Sequence, residues 1–387
     1  MILVQNHRLP SNGNKFLICL LFFLFVGFSS ASAKDKHYNI ALLLPLNFHN
    51  LDPATALDQK SFELSNFAID YYRGFKLSID SLTKLNYTFE VKLFDTQSDT
   101  NQVKIIATDP FIATADIIVG PFVPNEIQAL LKINKSIKHK IISPISPLLI
   151  TNTFNSEIIM ANNTLENHAY NMANYFVQKK LGAQLLIVRA GLLAETRFSK
   201  TIEKYLDSTS VKISKKEILI SQKGYSIIEG NLSKSKENYI LIPSADQAFA
   251  INLFKYLESL NNQYPITLLV HPKWLDYQTI DPNLFIKYKV TLSTSYYANY
   301  SDPALNKYVQ NYRSEYGTEP TEMSIRGFDQ AMFYLSKYSW IKKPSLQIEY
   351  PYFGLATVYF YPSKVSTINN NLVFIVKYDE SGLSYQP

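Results

Sequence analysis

Among its 387 residues the chain has one cysteine, Cys19. Cys19 lies inside an apolar run near the amino terminus, so the rest can form neither an internal disulfide nor a thiolate metal site. The six histidines are scattered without the spacing of metal ligands. No G-x-S-x-G, G-x-G-x-x-G, Walker loop or H-E-x-x-H occurs, which removes the usual local signatures of hydrolases, dinucleotide enzymes, nucleotidases and zinc proteases. Charged residues make up 18% of the chain and the formal net charge is +6, two of it from Arg8 and Lys15. The one local basic cluster, Lys135 to Lys140, reads as a solvated helix end, so nucleic acid is not an expected partner. Heptads, tandem repeats and low-complexity linkers are also missing. The expectation is a binding protein, not an enzyme, with no cofactor and no metal.

What is present begins with an address. Arg8 and Lys15 precede the apolar run Phe16 to Phe28, which ends in Ala31-Ser-Ala33, so residues 1–33 read as a signal peptide cleaved before Lys34. The run is shorter than the roughly 20 residues of a spanning helix. Ile18 before Cys19 is not the small residue that lipid attachment requires. A periplasmic location with no integral membrane segment after cleavage follows. The composition, 47% hydrophobic, is that of an ordinary globular protein, and the length suggests two domains.

Periodicity then alternates. Ile40-Ala-Leu-Leu-Leu-Pro-Leu46 reads as a strand; Ala68, Tyr71, Tyr72, Phe75, Ile79 and Leu82 recur at helical spacing; Phe89, Val91 and Leu93 alternate as a strand does. Ala115–Val119 and Ile141-Ile142 add strands, with a helix led by Pro124 between them. A second series follows: a helix over Leu165 to Phe176, a strand Leu185–Val188, a helix through Phe198 and Tyr205, and strands at Ile218–Ile220, Tyr239–Ile242 and Pro265–Val270. Ser244-Ala-Asp-Gln247 has the form of a capping box for a helix carrying Phe249 and Leu253. Late in the chain Asp302 caps a helix, Pro303 takes its first turn and Gly317 stops it. A helix from about Glu322 to Tyr338 and strands Leu355–Tyr361 and Leu372–Tyr378, with a polar turn between them, close the chain. Such βα alternation builds parallel sheets whose carboxyl edges form a ligand crevice.

The segment Tyr308-Val-Gln-Asn-Tyr-Arg-Ser-Glu-Tyr-Gly-Thr-Glu-Pro320, followed by Gly327-Phe-Asp-Gln330, resembles the late helix pair of type I periplasmic solute-binding proteins, the branched-chain amino acid receptors. The opening strand, Phe94-Asp-Thr96, Asp116-Ile-Ile-Val-Gly-Pro121 and Ile142-Ser-Pro144 match the first lobe of that family in the same order. The resemblance implies an α/β fold of two Rossmann-like lobes with parallel sheets, joined by a three-segment hinge and closing on a ligand. The expected division is 34–157 plus 292–340 for lobe I and 158–291 plus 341–387 for lobe II. Crossings are expected near Asn155 to Asn163, Tyr288 to Ser295 and Ile341 to Gly354. The function implied is capture of a small ligand, an amino acid, peptide or related acidic compound, for an ABC permease or a sensor. The opening strand is also similar to that of the bilobed domain in activators of peptidoglycan synthases, which implies an alternative: a non-transport envelope protein acting on cell-wall machinery.

The loops after strand carboxyl ends nominate Asn47, Phe48, Asp95, Phe122, Ser146, Arg189, Ser244, His271 and Trp274 as ligand-binding. Each has a plainer reading. Asp95 and Ser244 serve equally as caps, and Phe48, Phe122 and Trp274 as lobe packing. Arg189 either forks onto a ligand acid or makes a surface ion pair, and His271 is either a ligand contact or a hydrogen-bonded loop residue. Amino-acid receptors of the family offer small hydroxyl residues after the third and fourth strands, whereas Pro121-Phe-Val-Pro124 and Ser146-Pro147 stand here. Proline has no N–H to give a carboxylate, so a free α-amino acid is not the favoured ligand. The 27 tyrosines suit either a carbohydrate or peptide surface or an aromatic core.

Overall fold

The computed structural model describes residues 36–48, 58–85, 87–133, 140–146, 157–182, 184–336, 350–361 and 367–387. The leader with Cys19, most of the basic cluster 135–140, and Pro147 lie outside these. Residues from Lys36 onward form one unit built on two large sheets.

The first part of the chain runs β1 (Lys36–Leu44), α1 (Gln59–Thr83), β2 (Tyr87–Asp95), α2 (Thr100–Ile106), α3 (Pro110–Thr114), β3 (Ile117–Val119), α4 (Pro124–Ile133), β4 (Lys140–Ser143) and β5 (Glu157–Met160). The second runs α5 (Leu165–Gln178), β6 (Gln184–Arg189), α6 (Leu193–Ser208), β7 (Ser214–Leu219), α7 (Ile220–Lys223), β8 (Asn238–Ile242), α8 (Gln247–Ser259), β9 (Ile266–Val270), α9 (Pro282–Lys287) and β10 (Thr291–Thr294). Then come α10 (Pro303–Tyr316), α11 (Glu322–Ser336), β11 (Tyr352–Phe353), β12 (Val358–Tyr359), β13 (Thr367–Asn369), β14 (Phe374–Asp379) and β15 (Gly382–Tyr385). The first sheet has the order β13-β5-β4-β3-β1-β2 and is parallel throughout. The second has the order β15-β14-β10-β9-β8-β6-β7, parallel except where β14 pairs with β10 and β15.

The continuous apolar run of β1 follows from burial on both faces. Ile40, Leu42 and Leu44 pack with Tyr71 and Phe75 of α1, while Ala41 and Leu43 pack with Val103 of α2 and Ile127 and Leu130 of α4. Successive strand residues point to opposite faces, so one strand feeds two cores. The second sheet repeats the scheme: Ile240 and Ile242 join Phe249, Phe254 and Trp274, and Leu241 joins Phe176 and Phe198.

Sheet membership places the passages between lobes. The chain leaves the first sheet after Met160 and enters α5, whose Ala169, Met172 and Phe176 pack under the second sheet. It returns between Thr294 and α10, since α11 packs on α1, and leaves finally between Asn369 and Phe374. The last change of sheet thus falls at 370–373, because Thr367–Asn369 adds a strand beside Glu157–Met160; most of the expected crossing near 341–354 lies outside the described residues. Thr291–Thr294 likewise belongs to the second sheet. Three local expectations differ. Asp246, not Ser244, caps α8, accepting from the N–H groups of Ala248 (2.8 Å) and Phe249 (3.4 Å). Ile220 opens a helical turn instead of ending a strand. Only Val358–Tyr359 of the expected strand 355–361 is paired. The late helix signals hold: Asp302 accepts from Ala304 N–H at 2.7 Å, and Gly317 takes φ +66° at the stop.

The return of α11 to the first lobe depends on two glycines. A Cβ on Gly74 would lie 1.7 Å from the Ser324 carbonyl oxygen, and one on Gly327 would lie 2.2 Å from that of Tyr71. The two Arg-Gly-Phe triplets, 73–75 and 326–328, thus meet backbone to backbone. Tyr71 donates to Gln330 Oε1 (2.7 Å), Gln330 Nε2 to Pro144 O (3.0 Å) and Ser78 to Phe328 O (2.7 Å), so the same contact fixes the loop after β4. Gly327→Ala is expected to cost about 3 kcal/mol or more, because backbone cannot yield as a side chain does. Urea unfolding checks this, and a loss below about 1 kcal/mol would show that the helices separate easily.

Candidate functional site

Each sheet has one place where successive connections leave in opposite directions, and ligands of such sheets sit outside the carboxyl ends there. In the first sheet it lies between β1 and β3, and in the second between β6 and β8. The loops at these points carry Asn47, Phe48 and Phe122 in the first sheet and Arg189 and Ser244 in the second.

At the first point Asp95 ends β2 and turns its carboxylate into the loop after β1. Oδ1 accepts from the N–H groups of Leu46 (3.0 Å), Asn47 (2.9 Å) and Gln97 (2.9 Å), and Oδ2 from Phe48 N–H (2.9 Å). Asn47 is buried at φ +54° and donates to Ser65 Oγ at 2.7 Å. Phe48 remains half exposed. Phe122 lies in the core, edge-on to Tyr71 with centroids 5.4 Å apart, and its carbonyl accepts from Ser146 Oγ at 2.8 Å. Asn47, Phe48 and Asp95 thus form one cluster, and Phe122 with Ser146 another.

At the second point Arg189 donates to Glu217 Oε1 (2.7 Å), Thr196 Oγ1 (2.8 Å) and Leu192 O (3.2 Å), and its Nε lies 3.5 Å from Glu195. Glu195 is buried and accepts from the N–H groups of Ala190 (3.1 Å), Gly191 (3.0 Å) and Leu192 (3.1 Å). Those N–H groups at a helix start are where an outside anion would bind, and an internal carboxylate already occupies them. Ser244 is buried and its carbonyl accepts from Trp274 Nε1 at 2.8 Å. Trp274 is fully buried against Phe254, Tyr277 and Phe285. His271 accepts from Lys273 N–H through Nδ1 (3.1 Å), and burial followed by the nearby Lys273 charge lowers its pKa to about 4.

The passages between lobes hold residues that periodicity does not single out. Asn163 Nδ2 donates to the carbonyls of Asn370 (2.7 Å) and Leu372 (3.0 Å). Asn370 donates to Val358 O (2.7 Å) and accepts from Phe360 N–H (3.0 Å), while Asn167 and Asn171 reach Asn371 at 3.1 and 2.8 Å. The first and third passages are thereby laced together. His168 bridges to the second: Nδ1 lies 3.0 Å from Ser293 Oγ and Nε2 3.2 Å from Ser295 Oγ. Burial, then His271 and Arg326, push its pKa down to about 3, so it is neutral at physiological pH. Arg326 stacks over Tyr296 at 5.4 Å. Asp329 accepts from the N–H groups of Leu355 (2.7 Å), Ala356 (2.9 Å) and Thr357 (3.0 Å). Sequence offered only the runs Asn162-Asn163 and Asn369-Asn-Asn371, which resemble ordinary turns.

The profile of the periplasmic binding protein family matches residues 61–344. The chain belongs to that family. A search of curated protein sequences returns no match. Among solved structures, one from Rhodospirillum rubrum assigned to branched-chain amino acid ABC transport aligns with TM-score 0.65 at 12% identity, covering 90% of this chain and 100% of that one. An ABC transporter substrate-binding protein from Desulfitobacterium hafniense in complex with Leu aligns with TM-score 0.54 at 12% identity, covering 91% and 100%. The C-domain of Haemophilus influenzae LpoA, a regulator of PBP1A, aligns with TM-score 0.57 at 14% identity, covering 90% and 100%. These likenesses establish the two-lobed fold. Among the described residues no helix is long and apolar enough to cross a membrane, and no group of three or more His, Cys, Asp or Glu is placed to hold a metal.

Removing the Arg189 side chain would strand Glu217 and leave the buried Glu195 without its cation. Arg189→Ala is therefore expected to lower unfolding stability by about 2 kcal/mol, the worth of charged hydrogen bonds. Chemical denaturation measures it, and an unchanged midpoint would assign Arg189 no structural role.

Proposed function

We propose that this protein is an exported, periplasmic solute-binding protein that holds a small ligand between the carboxyl edges of its two lobes and delivers it to an ABC permease or a sensor. The observation that carries this reading is the family match over residues 61–344 on a chain whose two sheets are joined by three passages. The lobes are assigned to the described residues of 36–160 with 303–369, and of 165–294 with 374–387, and they rotate about the passages as ligand binds. Of the nominated residues, Phe48, Ser146, Arg189 and His271 keep exposed atoms and are the proposed contacts. The ligand class is set by what the edges already hold. Asp95 and Glu195 fill the backbone N–H clusters that would grip a carboxylate. Within the range of amino acids, peptides and related acids, a peptide-like compound with a blocked carboxylate fits best.

The same filled clusters favour a second reading, in which the cleft takes no solute and the protein regulates or scaffolds cell-wall machinery. The likeness to the LpoA C-domain accompanies it. Thermal-shift screening separates the two. Solute binding predicts that carboxyl-amidated peptides raise the melting temperature by several degrees, as about 100-fold saturation would, while free leucine does not. Small-angle scattering of the liganded protein should show a smaller radius of gyration. If no compound shifts the transition and in-cell cross-linking captures a peptidoglycan synthase, the regulator reading replaces this one.

A further inference from the structure

Glu126 sits in the first turn of α4, directly after the loop that follows β3, and is 1% exposed. Neither of its carboxyl oxygens makes a hydrogen bond of good geometry; the one donor beside it is the hydroxyl of the fully buried Thr96, which reaches it only in poor alignment. A buried carboxylate without donors is costly, and such a group normally takes up a proton. Helix α2 packs against α4, and the corner that leads into it presents Asp99 and Asp95, both of the same sign as Glu126. Asp99 is committed to capping α2, accepting from Asn101 N–H at 2.8 Å. Lys104 of α2 turns instead to Asn101, at 2.9 Å. No basic side chain among the described residues offsets the charge of Glu126. Burial, followed by Asp99 and Asp95 and eased only by Thr96, raises its pKa to about 7.

The corner matters because Asp95 is also the residue that gathers the N–H groups of Leu46, Asn47 and Phe48. We propose that Glu126 is a proton-operated latch beneath the rim of the first lobe. With its proton it lets α4 close on the β2–α2 corner; without it, repulsion from Asp95 and Asp99 loosens that corner and the Leu46–Phe48 loop that Asp95 holds. The protein would then present an ordered rim in mildly acidic surroundings and a looser one in alkaline ones.

The sign follows from linkage. A carboxyl whose pKa is raised in the folded state contributes stability that is complete below its unfolded value, near 4.5, and is lost as pH rises through about 7. His168 and His271, with lowered values, act oppositely below about 6.5. The test is therefore a difference between Glu126→Gln and the parent. The melting temperature of the variant minus that of the parent should grow by about 4 °C between pH 5 and pH 8. Amide exchange in peptides covering 45–48 and 95–99, corrected for intrinsic rate, should accelerate with pH in the parent and not in the variant. Glu126→Leu, which keeps bulk and removes the charge, should behave as Glu126→Gln does if the amide variant folds poorly. A pH-independent difference in melting, or equal exchange profiles in parent and variants, would overturn the latch.

Discussion

The close approach of α1 and α11 is the constraint on which the rest of the architecture depends. Gly74 and Gly327 admit the facing backbone to a distance that any side chain would forbid. Because α11 comes some 250 residues after α1 in the chain, this contact obliges the chain to return to the lobe where it began. That return makes two passages, the placing of β14 and β15 in the second sheet makes a third, and three passages give a hinge with a defined axis instead of a flexible tether. The junction is then stiffened by side-chain amides. Asn163, Asn171 and Asn370 supply donors to backbone carbonyls, Asn167 donates to the side chain of Asn371, and His168 ties in the second passage through two serine hydroxyls. Buried backbone groups need partners, and here asparagine takes the role that regular structure plays elsewhere.

The chemistry of the carboxyl edges follows from the same economy. At both switch points the loop N–H groups converge as they would on an anion, but the anion is part of the chain: Asp95 in the first lobe, Glu195 in the second. Arg189 serves Glu195 and Glu217. Apolar side chains are exposed at these edges too, with Phe48 half exposed after β1 and Leu192 and Leu193 exposed where the chain enters α6. An edge of this kind grips through surface and shape more than through charge.

How much of this was legible varies with how local its cause is. The strand Ile40–Leu44 and the helix from Asp302 to Gly317 were readable because burial on two faces, a cap, a proline and a left-handed glycine all act within a few residues. The two Arg-Gly-Phe triplets acquire a meaning only where the helices that carry them meet. The cap of α8 was misplaced by two residues because Ser244 and Asp246 are both competent and only the fold decides between them. Strand β13 could not be seen at all, since three residues pair only because Glu157–Met160 offers an edge about 200 positions away. At the strand ends the loops were legible and their chemistry was not: the pattern led to Asp95 and Arg189, but whether such groups face outward or inward depends on partners such as Glu195 and Glu217. Trp274 illustrates the limit, since a large aromatic after a strand reads alike as a stacking platform and as the centre of a core.

If the passages form one laced junction about which the lobes rotate, their amides must be as hard to open as the sheets they join. Native-state hydrogen exchange read by NMR tests this directly. The account predicts that the amides of Ala161, Phe360, Asn370 and Asn371 exchange as slowly as those of β1 and β6. Exchange of those amides at the rate of exposed loops, while the strands stay protected, would contradict it.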